Sequence, residues 1–372
     1  MNARARATGH PPAYHAAVTQ IAAVHGALPP HRYPQRVITE AIAELIGVTG
    51  ANRLLLERVH ASTGIDTRSL VIPLEEYPRL SGFGEANDLW ITAGVDLGEQ
   101  AVRGALEIAG IDPQDVDLLV VTSVTGMAAP SVDARLVPRL GLRDDVRRLP
   151  LFGLGCVAGA AGIARLHDFL LGRPNGVAVL LAIELCSLTV QRNDSSIANM
   201  VASGLFGDGV AAVVAVGAER AADRPMWAGP EVVDSRSRLY PDSERVMGWD
   251  IGGSGFKIVL SASVADVVRQ YLGDDVREFL ADHELKPVDI DCWVAHPGGP
   301  KVLDAMSDAL ELPDGALAVT WRSLATIGNL SSASVLHVLQ DTIAIRSPGT
   351  GEPAVLLALG PGFCSELVLL RW

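Results

Sequence analysis

The chain has 372 residues, 49% of them hydrophobic, and a formal net charge of −13 at pH 7. That length supports a large core and about two domains, and the acidic balance excludes nucleic acid as a bulk partner, because phosphate binding needs basic surface. No run of about 18 uncharged apolar residues predicts a membrane span, and the first residues lack the apolar centre of a secretory signal.

Residues 1–16 are expected to form a mobile N-terminus. The pattern then predicts a helix over 97–109 and a buried strand over 117–122. Next comes Leu151-Phe152-Gly153-Leu154-Gly155-Cys156-Val157-Ala158-Gly159, where a short apolar strand breaks at Gly155 and a helix over 158–171 begins, with Ile163, Leu166 and Leu170 at helical spacing. A thiol there meets the positive end of the first turn, which favours thiolate. The alternative for Cys156 is a buried structural cysteine. Near-continuous apolar runs over 177–183 and 210–216 have the character of strands covered on both faces by helices. A loop-rich stretch is expected from 217 to about 254, with Pro225, Pro230 and Pro241. Within it, Gly252-Gly253-Ser254-Gly255 follows no strand and lacks G-x-G-x-x-G spacing, so it is no dinucleotide loop.

The second half repeats the format, with helices expected over 264–283, 300–310 and 331–345 and strands over 292–295, 354–359 and 367–370. The chain therefore divides into an α/β half over 17–220 carrying Cys156 and another over 221–372 carrying His296 and Asn329. His296 follows the strand Cys292-Trp293-Val294-Ala295 and opens His296-Pro297-Gly298-Gly299-Pro300. A lone histidine is more often structural, but the C-terminal end of a strand is where α/β sites gather. Asn329, between Gly328 and an apolar helix, reads on its own first as a helix cap. His60, His167, His283 and His337 have no metal-type partners and read as surface or packing residues. The 4 cysteines, at 156, 186, 292 and 364, have neither CxxC nor zinc spacing, so no disulfide framework or metal is expected. A reducing cytoplasm is the expected compartment.

Cys, His and Asn together supply a thiol nucleophile and two hydrogen-bond donors. Papain-like amide hydrolysis uses that set, and so does decarboxylative carbon–carbon bond formation on thioesters. The protease motif C-G-[SA]-C-[WY] is missing around Cys156, so the first reading fails.

At these residues a family resemblance becomes specific. Gly155-Cys156-Val157-Ala158-Gly159, His296-Pro297-Gly298-Gly299-Pro300 and Gly328-Asn329-Leu330-Ser331-Ser332-Ala333 resemble the signatures of type III polyketide synthases, the chalcone synthase-like family. Gly204-Leu205-Phe206-Gly207-Asp208-Gly209, Gly360-Pro361-Gly362-Phe363-Cys364-Ser365-Glu366 and Ala27-Leu28-Pro29-Pro30-His31-Arg32-Tyr33 agree, so the likeness runs from about residue 18 to 372. It implies a thiolase-like α/β fold in αβαβα layers, a homodimer, and no cofactor beyond CoA thioesters as substrates. Cys156 would hold the acyl chain, while His296 and Asn329 would stabilise the enolate left by decarboxylation. Phe206 and Phe256 match the family's gate phenylalanines. Thr125, Ala129, Cys186, Thr189 and Ser331 fall at pocket positions, and Arg58 and Lys301 at CoA-binding ones; Leu55 and Ser62 stand where relatives carry further lysines.

The stretch from Met247 to Ser261 is similar to bacterial alkylresorcinol and alkylpyrone synthases. An acyl-CoA starter of fatty type with malonyl-CoA or methylmalonyl-CoA as extender is therefore the first expectation. A malonyl-primed tetrahydroxynaphthalene-type synthase is the alternative. A ketoacyl-ACP synthase III is disfavoured by HPGGP and GPGFxxE. A non-catalytic partner subunit is disfavoured by retention of all three reactive residues.

Overall fold

The computed structural model describes residues 18–192, 194–223, 227–345 and 351–372. The expected mobile segment 1–16 and Pro225 lie outside the described residues. In chain order the strands are β1 (Thr19–Ala27), β2 (His31–Pro34), β3 (Thr67–Leu70), β4 (Leu118–Ser123), β5 (Arg147–Phe152), β6 (Val177–Leu185), β7 (Asp208–Val216), β8 (Glu231–Leu239), β9 (Met247–Gly252), β10 (Gly255–Leu260), β11 (Cys292–Ala295), β12 (Pro353–Gly360) and β13 (Cys364–Arg371). Nine of them form one mixed sheet in the order β11-β12-β13-β8-β1-β7-β6-β4-β5, and β2-β3 and β9-β10 form two-stranded ribbons.

The alternation of side chains along the strands builds the layers. On β6 and β7, Leu180, Ala182, Ala211 and Val213 face inward, and on β12 and β13 so do Leu356, Ala358, Val368 and Leu370; all pack with Ile163, Leu166, Val335 and Leu339. The helices Ala158–Leu171 and Ser334–Ile345 therefore form a buried central layer. On the opposite face of the first half, Val179, Leu181, Val214 and Ile183 pack against Trp90, Val102 and Leu106 of the helix Phe83–Ala109. On the opposite face of the second half, Val355, Leu357 and Leu369 pack against Val268, Leu272 and Met306 of the helices Val264–Ala281 and Pro300–Leu310. The result is the layered α/β arrangement expected from the sequence.

Three expectations need correction, the first being that Gly252-Gly253-Ser254-Gly255 does follow a strand, since it turns β9 back into β10. The stretch 217–254 is not mainly loop, since it holds β8 and β9. β8 carries charged residues on its half-exposed face, so no continuous apolar run announces it. It joins the halves, because β1 pairs with it at Thr19↔Val232 and Gln20↔Glu231. The helix expected over 97–109 begins earlier, at Phe83. Among the described residues, no helix is long and apolar enough to cross a membrane.

Candidate active site

β5 ends at Phe152, and a tight 3-10 turn Gly155–Val157 leads into the central helix. Gly155 has φ +57°, and a Cβ there would lie 2.6 Å from the ring of Pro361. A Cβ on Gly159 would come within 2.3 Å of the Ser332 carbonyl. Glycine at these two positions lets the Cys156 turn seat against the end of β12 and the 331–333 turn. Cys156 is buried, and its Sγ donates to Ser331 Oγ at 3.7 Å.

Burial works against the expected thiolate. Burial pushes the Cys156 thiol up to about 12, with the Ser331 hydrogen bond acting against that rise. A first-turn dipole is worth about 0.3–1 kcal/mol, less than a tenfold change in ionisation. Desolvation in this apolar centre outweighs it.

His296 leaves β11 with its backbone N–H donating to Leu357 O on β12 at 2.9 Å, and its carbonyl accepts from Gly298 N–H at 2.9 Å. The imidazole is 1% exposed, and neither Nδ1 nor Nε2 has a hydrogen-bond partner among the described residues. Burial holds it neutral, with its pKa down at about 3. Two unspent ring nitrogens in a closed site cost free energy, about 1–3 kcal/mol each. A core histidine finds partners, as His60 does with Thr39 at 2.9 Å and Met200 O at 3.2 Å.

Asn329 follows Gly328 at φ +75°. Its backbone N–H donates to Leu205 O at 3.0 Å, and its carbonyl accepts from Gly207 N–H at 2.9 Å, so it clasps the backbone around Phe206. Its Oδ1 accepts from Ser331 N–H at 2.8 Å and from the Ser334 hydroxyl at 3.4 Å. Asn329 is not the cap of the turn Ser331–Ala333, a position that Leu330 holds without a side-chain bond; the carbonyl end of the Asn329 amide reaches that turn from one residue further out. That assignment leaves Nδ2 as the free donor end, with no acceptor among the described residues. Ser331, held at φ +48°, links Asn329 to Cys156 directly.

Sequence reasoning missed Glu184. This carboxyl is fully buried and accepts from Thr125 at 2.9 Å, Val124 N–H at 3.3 Å, and the Ser332 hydroxyl. Thr125 in turn accepts from Trp90 Nε1 at 3.2 Å. The available signal was a lone acid in the otherwise apolar run of β6. Burial raises Glu184 from 4.5 to about 7. Its folded form holds the proton more tightly than the unfolded chain, so the stability present below pH 4.5 is lost as pH rises through about 7. Glu184→Gln is therefore expected to gain stability relative to the parent between those pH values. Urea unfolding at several pH values reads the difference, and a pH-independent gap would refute the assignment.

Phe206 is partly buried and Phe256 nearly fully so. Phe256, on β10, sits among Phe83, Trp249 and Phe152 with ring centroids 5.5, 6.0 and 6.4 Å away. The two phenylalanines border different cavities. One of 790 Å³ is lined by Phe206, Cys186, Thr189 and Arg68, and one of 530 Å³ by Phe256, Thr125, Thr189 and Lys257. Cys156, His296 and Asn329 line neither; they lie closed between elements of the two halves. Ser331 is buried beside Cys156, whereas Ala129 is exposed just before the cis Ala129–Pro130 bond and lines neither cavity. Arg58, on the helix Gly50–Ala61, and Lys301, in the first turn of Pro300–Leu310, are both solvent-exposed.

The layered fold, with a cysteine opening a central helix, is that of a thiolase-fold condensing enzyme. The chain belongs to the chalcone and stilbene synthase family and is a type III polyketide synthase: residues 13–220 match the family's N-terminal domain and 231–372 its C-terminal domain. It is 59% identical to the 1,3,6,8-tetrahydroxynaphthalene synthase of Streptomyces peucetius subsp. caesius, over 95% of this chain and 93% of that protein. It is 36% identical to a putative chalcone synthase of Bacillus subtilis, over 83% of this chain and 86% of that one. The crystal structure of 1,3,6,8-tetrahydroxynaphthalene synthase from Streptomyces coelicolor A3(2) superposes with a TM-score of 0.89 at 28% identity, covering 95% of this chain and 99% of that one. Enzymes of this class condense malonyl-CoA and acyl-CoA substrates and need no further cofactor.

Proposed function

We propose that this enzyme primes itself with malonyl-CoA, extends the chain with further malonyl-CoA, and cyclises it to a tetrahydroxynaphthalene. The observation carrying this is the 59% identity over nearly the whole chain to a synthase of that product. Relatives near 30% divide among several products, including a phloroglucinol synthase and a synthase of 3,5-dihydroxyphenylacetyl-CoA, so likeness at that level selects no product. The carbon count fits: five malonyl units losing five molecules of carbon dioxide leave the ten carbons of naphthalene. Support thus moves from the fatty acyl starter to the malonyl-primed alternative. One feature still favours the fatty starter, namely the apolar side chains Val37, Ala41, Leu45 and Leu74 that the larger cavity offers beside its charged ones.

In the mechanism, Sγ of Cys156 attacks the starter thioester while its proton passes to neutral His296 and then to the departing CoA sulfur. Malonyl-CoA then binds with its thioester oxygen facing His296 and Asn329 Nδ2. As the carboxylate leaves as carbon dioxide, its electron pair moves onto that carbonyl, and the two donors hold the developing enolate. The enolate carbon attacks the Cys156 thioester and displaces the cysteine as thiolate, which takes a proton from solvent before the next transfer. No carboxylate base is required, because decarboxylation makes the carbanion. Phe206 and Phe256 gate the chamber; Thr125, Cys186, Thr189 and Ser331 shape it, and the exposed Ala129 falls where relatives place a residue across the dimer interface; Arg58 and Lys301 meet the CoA phosphates. The enzyme works as a cytoplasmic homodimer, and light scattering tests the dimer.

Incubation with malonyl-CoA alone, followed by mass spectrometry, tests the product. Tetrahydroxynaphthalene or its air-oxidised quinone is expected. Product appearing only when a long acyl-CoA is added would return the assignment to the fatty acyl starter.

A further inference from the structure

Phe206 and Asn329 come from different halves of the chain, and their backbones meet in a short parallel bridge outside the nine-stranded sheet. The strand β3 lies across both segments. Asp66, just before it, donates its backbone N–H to Ala325 O at 2.8 Å. Thr67 Oγ1 donates to Thr326 O at 2.7 Å. The stem of Arg68 fills the space beside Gly328, where a Cβ would lie 2.9 Å from its Cγ and Cδ. Three consecutive residues thus grip the end of the helix Ala318–Ile327 and the step that leads to Asn329.

Arg68 then reaches the other segment. Its Nη1 donates to the carbonyl of Phe206. Its Nε donates to Gln35 Oε1 at 3.0 Å, and Gln35 Nε2 donates to Gly204 O at 2.7 Å. Arg68 is 2% exposed, and its Nη2 has no hydrogen-bond partner among the described residues. A buried charge with a donor unspent is a poor way to stabilise a core, where an apolar side chain often does as well or better. It is a good way to hold a carbonyl in place, because the donors of the planar guanidinium are fixed in direction.

We infer that Arg68, with Thr67, is a positioning residue for Asn329: the pair fixes the Gly328-Asn329 step against the Phe206 segment and so aims Nδ2 at the enolate oxygen. This rests on the donor role proposed for Asn329. Arg68 acts through that amide and not on the substrate. A misplacement of about 1 Å costs on the order of 100-fold in rate when it reaches the reacting geometry. Acyl transfer to Cys156 needs no enolate donor and escapes the loss.

The test is a double-mutant cycle read on carbon dioxide release from malonyl-CoA. Arg68→Met keeps an unbranched stem beside Gly328 and removes the guanidinium. It is expected to lower kcat for release at least about tenfold, with KM and the rate of acyl loading changed by less than about threefold. Arg68→Lys, which keeps a donor on a similar stem, should recover part of the loss. In the Asn329→Ala background the same Arg68→Met change should cost less than about twofold, because no amide is left to position. An equal loss in both backgrounds, or loading that falls along with release, would overturn the inference and make Arg68 a general support of the fold.

Thr67→Val removes only side-chain bonds at the half-buried start of β3, so it decides the matter if Arg68→Met does not fold. About a threefold loss of release is expected in the parent enzyme and none in Asn329→Ala. No loss in the parent, or the same loss in both, would count against the inference. Normal release by Asn329→Ala alone is a separate result: it would remove the donor role itself, and the inference with it.

Discussion

Asn329→Ala is expected to lower product formation by about 100- to 1000-fold while leaving acyl transfer to Cys156 intact. The reasoning follows from which end of the amide is engaged. Oδ1 is occupied by Ser331 N–H and Ser334, so the only capacity Asn329 has left is donation from Nδ2. Removing one preorganised donor to a developing oxyanion costs about 2.7–4 kcal/mol in other enzymes. Acyl loading does not pass through an enolate, so it escapes that loss. Carbon dioxide release from malonyl-CoA and the mass of the acyl-enzyme are read separately. Normal carbon dioxide release in the variant would remove Asn329 from the mechanism. The variant also loses the Oδ1 contacts that shape the 331–333 turn, so Asn329→Asp is a useful companion: it keeps the acceptor and loses the donor.

Cys156→Ala should give the reverse pattern. Product is expected to fall by on the order of 10⁴-fold or more, because nothing else can carry the covalent chain. Carbon dioxide release should persist, since His296 and Asn329 remain. Cys186 is a buried thiol on the wall of the larger cavity, but burial raises its pKa well above 9.0, with neighbouring acids adding to the rise. It is not expected to substitute. An acyl adduct found on Cys186 in the Cys156→Ala enzyme would contradict this. The two variants together separate loading from decarboxylation, which neither does alone.

The resting ionisation of the pair bears on both experiments. Burial drives the thiol up to about 12 and the imidazole down to about 3, so both are neutral near pH 7. In the proposed mechanism the charges on Cys156 and His296 therefore arise as the thioester is attacked. Separating two charges in a dry site is costly unless each is met by a partner. The substrate's developing oxyanion and the departing CoA supply those partners.

Much of this was legible in one dimension. Continuous apolar runs such as 177–183 and 210–216 require burial on both faces, and that alone demands a layered α/β fold. The glycines flanking Cys156, the HPGGP turn and the Gly328-Asn329 step mark backbone that only tight turns accommodate, and those surroundings are what single out Cys156, His296 and Asn329 as candidates. β8 was not legible, because a half-exposed strand of mixed charge resembles loop until its pairing with β1 and β13 is seen.

What the tertiary structure alone decided is the electrostatic state of the site and its polar support. Whether Cys156 is thiol or thiolate depends on how much solvent its neighbours exclude, and those neighbours come from positions such as 331 and 361, far along the chain. Glu184 and Arg68 were present in the sequence as one acid and one arginine among many. Only packing turned one into a carboxyl raised to about 7 and the other into a buried cation with a donor to spare. Residue type and spacing determine which groups a chain owns; desolvation and partnership, which are properties of the folded interior, determine what those groups can do.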